Sequence, residues 1–148
     1  MTARWPWLAG LLLAASPAAS ADTIPGNVDF LCRLHHAGGI DLNSITKLPP
    51  SLKSWIASSI GPMSDRGGPF NATDVIVDKN APATRFIRAG RYNDFWFIWY
   101  ERGGIAHTKH IVFLQLGLEL TQLADKTYTT MEDPCPMTDA LIDKNAGR

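Results

Sequence analysis

Between Thr84 and Leu116 three apolar runs alternate with short polar breaks, in the stretch TRFIRAGRYNDFWFIWYERGGIAHTKHIVFLQL. The runs are rich in aromatic and β-branched residues, which suit a pleated surface. Arg91-Tyr92-Asn93-Asp94 supplies one turn. Arg102-Gly103-Gly104 supplies the other, since paired glycines accept positive φ at little steric cost. This pattern predicts a three-stranded antiparallel meander. The middle run, Phe95 to Tyr100, is apolar on both faces, so it belongs in the centre of a sheet with a layer packed on each side. Its alternation does not choose between Phe95, Phe97 and Trp99 and the set Trp96, Ile98 and Tyr100 as the inner face. Arg85 and Arg91 are six residues apart, which in a regular strand puts them on one face and Arg88 on the other.

From Val112 onward the even positions are apolar and the odd ones polar or small, the pattern of a half-buried strand. A break near Gly117 then leaves a fourth strand over about 118–129. Upstream, Asn27 can cap a helix over about 28–37, with Leu31, Cys32 and His35 on one stripe. A second helix begins at Pro50-Ser51, carries Leu52, Trp55, Ile56 and Ile60 on one face, and ends at Gly61-Pro62. The pair is expected to cover one face of the sheet. Thr73 to Val77 reads as a short strand, and Thr138 as the cap of a last helix over 139–145. The expected fold class is α+β: an antiparallel four- to five-stranded meander sheet with short helices packed against it and one disulfide.

The N-terminus changes the compartment. Arg4, the apolar run Trp7 to Ala15 and the small-residue pattern Ala19-Ser20-Ala21 form a signal peptide, with cleavage expected after Ala21. Residues 22–148 then make a single domain of 127 residues, exported to a periplasmic or external space. The apolar run is too short for a stable membrane span. In an oxidising compartment Cys32 and Cys135, the only two cysteines, pair by default. The loop they close, roughly 100 residues, is worth about 4–5 kcal/mol in the chain-entropy model.

Charge excludes some partners. The whole chain has 14 Lys and Arg against 14 Asp and Glu, and loss of Arg4 leaves a net charge of −1. A nucleic-acid binder needs a basic surplus or stripe, and the same balance disfavours strong attraction to anionic membranes.

Candidate chemistry is sparse. His107 and His110 are three apart, so in a strand they point to opposite faces and do not share a metal. Asp65, Asp74 and Asp78 lack the close alternation of a calcium loop. Neither a cofactor nor a metal is expected. Glu101 and His107 flank one hairpin, where they can form either a cross-strand ion pair or an acid–base couple. The long polar stretch 61–83 is the leading candidate for a binding loop. The sequence therefore favours a small exported non-enzymatic binding protein, of the size and compartment of inhibitors and immunity-type factors, recognising a protein or envelope component. Its candidate surface is Arg91, Tyr92, Asn93, Arg102, His107 and Asp74. The alternatives are a small hydrolase or lyase using His107 with Glu101 or Asp74, and a purely structural envelope protein.

Overall fold

The computed structural model describes residues 32–36, 39–129 and 132–146. The expected signal peptide and the first turn of the expected helix at 28–37 lie outside those residues. The fold is α+β. Strands β1 (Ile40–Leu42), β2 (Met63–Ser64), β3 (Thr84–Tyr92), β4 (Phe95–Arg102), β5 (Thr108–Leu116) and β6 (Leu120–Tyr128) form one sheet. Helix α1 spans Pro50–Ser59 and α2 spans Pro134–Ala146. The strand order is β1-β3-β4-β5-β6, with β2 beside β3 off this path. Strands β3 to β6 are the antiparallel meander. Among the described residues no helix is long and apolar enough to cross a membrane.

The central run is buried on both sides, as its composition predicts. Phe97 and Trp99 enter one cluster with Ile87, Ile111, Phe113 and Tyr128 from the sheet and Cys135, Leu141 and Ile142 from α2. Trp96, Ile98 and Tyr100 enter a second with Phe86, Val112 and Leu114 from the sheet and Leu52 and Ile56 from α1. Both sets of alternating aromatics are therefore inner, one per face. Full burial of each large side chain contributes about 1.5–3 kcal/mol, so two covered faces roughly double what one helix layer would supply.

The helical cover differs from the expectation. Leu34 packs in the α2 cluster, on the face opposite α1. Residues 32–36 are irregular and end in a turn, not a helix. Two constraints compete with helical bonding there. Cys32 is bonded to Cys135, with Cα atoms 5.9 Å apart, and Asp139 accepts the backbone N–H of His35 at 3.0 Å. Helix α2 begins five residues before Asp139. Asp133 accepts the N–H of Cys135 at 2.9 Å, and Pro134 occupies the first helical position, where a missing N–H costs nothing. Thr138 is thus an interior residue and not a cap. Its hydroxyl donates to Pro134 O at 2.8 Å and accepts the indole N–H of Trp99 at 3.0 Å.

Two short strands appear where none was expected. β1 pairs antiparallel with residues 89–91 and β2 pairs parallel with residues 84–85, so the two cover the ends of the outer edge of β3 and leave 86–88 between them. Thr73 makes only an isolated bridge to Gly104, and the expected strand 73–77 does not form. The first turn is a two-residue hairpin in which Asn93 takes φ 51°, a conformation Asn tolerates well. The second is a longer loop. There Gly103 lies so close to Asn71 and Ala72 that a Cβ would stand 1.8 Å from Asn71 O. The break at Gly117 falls where the pattern placed it, and β6 begins at Leu120.

The arginines of β3 are rearranged by a bulge. Register shifts between Phe86 and Arg88, so Ile87 has no partner on β4. Arg85 then faces Glu101 and Arg88 faces Trp99, on the α2 side, while Arg91 faces Trp96 on the α1 side. One inserted residue reverses the period-two expectation that paired Arg85 with Arg91.

Thr138→Val keeps the side-chain volume but leaves the buried Trp99 N–H without its acceptor. Stability should fall by about 1–3 kcal/mol, read as a lower urea midpoint at unchanged slope.

Candidate functional site

The sequence-selected surface residues occupy two ends of the sheet. Arg91, Tyr92 and Asn93 lie at the β3–β4 turn. Arg102, His107 and Asp74 lie at the opposite end, where β4 leaves the sheet and the 71–83 loop passes over it. At the usual strand rise the two ends stand roughly 20–25 Å apart. Arg91 folds back on its own turn, donating from Nε to Asn93 O at 2.7 Å. Tyr92 packs edge-on to His36, with ring centroids 5.0 Å apart.

The other end is organised by two polar side chains. Asn71 closes the loop by itself. Its amide nitrogen donates to Asp78 O and Ala81 O, each at 2.8 Å, and its amide oxygen accepts from Val77 and Asp78 N–H. Every hydrogen-bonding position of that side chain is used, which fixes an otherwise irregular segment. The loop therefore holds Val75, Ile76 and Val77 outward, with Val77 88% exposed. Ile105, 95% exposed, rises from the adjoining β4–β5 loop.

Glu101 is the second organiser. Its side chain is only 5% exposed and bridges the Arg85 guanidinium and the His107 imidazole. One oxygen pairs with Arg85 Nε and the other lies 2.8 Å from His107 Nε2. The Phe70 ring covers both, 4.2 Å from the Arg85 guanidinium and 5.7 Å from the imidazole centroid. The hairpin thus brings Glu101 and His107 together, though Glu101 faces Lys109 in the ladder and His107 reaches it from the loop. An ionised carboxylate only accepts, so Nε2 is the donor in this contact. His110 points to the other face, stacks on Tyr100 at 4.8 Å and bonds Asp125 at 3.0 Å. Burial first, then the Asp125 charge, raises the Tyr100 phenol above its ordinary value, with Arg102 opposing.

Sequence reasoning missed a third feature, a cavity of about 440 Å³ between the disulfide segment, β1 and the loop after β2. Arg33, Lys47, Arg66 and Arg88 line it, together with Asp41 and Asn43. Arg88 holds Asp41 with two bonds, Nε to Oδ1 at 2.8 Å and the terminal nitrogen to Oδ2 at 2.7 Å, and its guanidinium lies 4.9 Å from the Trp99 ring. Asp65 ties the walls together. It accepts from Ser44 Oγ at 2.6 Å, Ile45 N–H at 2.8 Å and Arg66 N–H at 2.8 Å. The four cations come from four segments with no common spacing, so no local motif marks them.

The three acidic residues of the 61–83 stretch do separate work. Asp65 joins the cavity walls, Asp78 accepts from Asn80 N–H at 2.9 Å, and Asp74 is exposed. Among the described residues, Cys32, Asp133 and Cys135 bring three donor atoms within 4.8 Å, but both sulfurs are consumed by the disulfide.

Burial raises the Asp65 carboxyl, but the bonds from Ser44, Ile45 and Arg66 and the charge of Lys47 outweigh it and lower the pKa. A folded pKa below the unfolded value of about 3.9 means stability that is present above that pH and lost as pH falls through the folded value. Asp65→Asn should therefore cost stability near neutrality. The gap between mutant and wild-type urea midpoints should close below about pH 4.

No family model matches the chain, and no curated protein or solved structure is significantly similar to it.

Proposed function

We propose that this is an exported, non-enzymatic binding protein that recognises a protein partner through the loop end of its sheet. The observation that carries the reading is the exposure of Val75, Ile76, Val77 and Ile105 on two adjoining loops. Four branched apolar side chains exposed on two loops, one of them fixed by Asn71, cost solubility and contribute nothing to the core. Grouped exposure of this kind is characteristic of interaction surfaces. Arg102 and Asp74 supply a charged rim, the usual surround of an apolar contact. The disulfide fits an oxidising compartment, and the N-terminal sequence pattern is that expected of an export signal.

The Glu101–His107 pair favours a second reading as an acid–base couple in a small hydrolase or lyase. The contacts of the pair are those of a structural tie. Arg85 holds the same carboxylate, and Phe70 covers both of its partners, so the pair ties the β4–β5 loop to β3. The cavity of about 440 Å³ is lined by other residues.

Val77→Ser with Ile105→Ser should abolish the complex and leave the unfolding midpoint unchanged. The measurement is native mass spectrometry of the protein purified from its own host without reductant. A partner at fixed stoichiometry should be present in wild type, absent in the double variant and retained in Arg91→Ala/Tyr92→Ala. Loss in the arginine–tyrosine variant alone would move the interface to the other end. Turnover of a screened substrate that disappears in His107→Ala would establish the enzymatic reading instead.

A further inference from the structure

We infer that the cavity between the disulfide segment, β1 and the loop after β2 is a binding site for a phosphate-bearing ligand. Among the described residues, Arg33, Lys47, Arg66 and Arg88 line it and the one carboxylate in its wall is Asp41. That carboxylate is already engaged on both oxygens by Arg88. Among the described residues, Arg33, Lys47, Arg66 and Arg88 thus bring four cationic groups to one concave space lined by a single carboxylate. In a chain with 14 basic and 14 acidic residues, this is a local excess and not a general property of the surface.

The excess is structurally enforced. Cys32 is fixed by its bond to Cys135, which places Arg33 beside the cavity. Lys47 sits on a single 3-10 turn, Ile45–Lys47, whose first N–H is held by Asp65. Arg66 N–H is held by the same carboxylate. One acidic side chain behind the wall thus positions two cations that would otherwise separate. Burial and the neighbouring Arg88 charge both lower the Arg66 pKa, with Asp41 opposing. An anion in the cavity relieves that repulsion.

Ligand chemistry follows from the donors. Guanidinium groups present planar paired donors that match phosphate oxygens, and a lysine adds a point charge. Asn43 adds an amide that can donate to an ester or hydroxyl oxygen. A volume of about 440 Å³ lies within the usual range for small-molecule sites and exceeds what a single bare ion fills. The ligand class is a phosphomonoester or diphosphate, either on a soluble compound or on a lipid headgroup. A one-signed concave wall also concentrates such anions from solution.

The test uses the full mature protein, titrated calorimetrically at low ionic strength with pyrophosphate. Vesicles of phosphatidylcholine with and without phosphatidic acid form a second arm, read by flotation. Saturable binding of pyrophosphate is expected, weakened about tenfold or more in Lys47→Gln and in Arg66→Gln and weakened by added salt. Thermal unfolding of both variants checks that they fold; Lys47 is exposed, so its variant keeps the test valid if Arg66→Gln does not. Pyrophosphate binding without flotation identifies a soluble ligand. Flotation that requires phosphatidic acid and is lost in Lys47→Gln identifies a headgroup. Neither binding nor flotation, or either one at wild-type strength in the folded variants, overturns the site.

Discussion

A strand that is apolar on both faces has to be covered on both, and β4 imposes that condition on the whole chain. Trp99 on one face and Ile98 on the other are fully buried. Meander neighbours on each side satisfy the backbone of β4, but they do not cover its faces. Helix α1 covers one face and α2, arriving from the far end of the chain, covers the other. The indole N–H of Trp99 then needs an acceptor inside a helix–sheet interface, and Thr138 of α2 provides it. The disulfide ties the start of α2 to the N-terminal segment on that same face, 103 residues away in sequence.

The bulge at Ile87 decides which arginines of β3 share the face covered by α2. Without it, Arg88 would point toward the α1 side. With it, Arg88 lies over Trp99, grips Asp41 of β1 and reaches Cys32 O at 3.4 Å. One guanidinium thereby joins the core, the edge strand and the disulfide segment, and forms the inner wall of the basic cavity. Arg85 precedes the bulge and already lies on that face, where it is the partner of Glu101.

Opposite kinds of surface result at different places. The loop beyond β4 is polar in composition, yet it exposes its apolar residues because Asn71 spends every donor and acceptor on the loop backbone. The cavity beside β1 is charged although the chain is neutral, because four segments converge there, two of them joined by Asp65. Each depends on one polar side chain that satisfies several backbone groups at once, which makes a short irregular segment as well defined as a helix end.

What the sequence by itself determined is the set of local elements: the meander, the central place of Phe95–Tyr100, helix α1 with its Gly61 stop, the break at Gly117 and the Cys32–Cys135 pair. These follow from periodicity, turn chemistry and cysteine count, all of which act over a few residues or leave no alternative. The start of α2 was equally legible, since Asp133-Pro134 is a cap followed by a first-turn proline, a stronger signal than Thr138. The encounter of Glu101 with His107 was also readable from their places around one hairpin. Tertiary structure alone decided the rest. A bulge shifts facing by one residue without any marker in composition, so the faces of Arg85, Arg88 and Arg91 depended on how β3 docks against β4. The opposite placement of the two helical covers depended on chain connectivity around the sheet. The basic cavity required Arg33, Lys47, Arg66 and Arg88 to meet in space, and residues brought together only by folding carry no spacing by which a linear reading could join them.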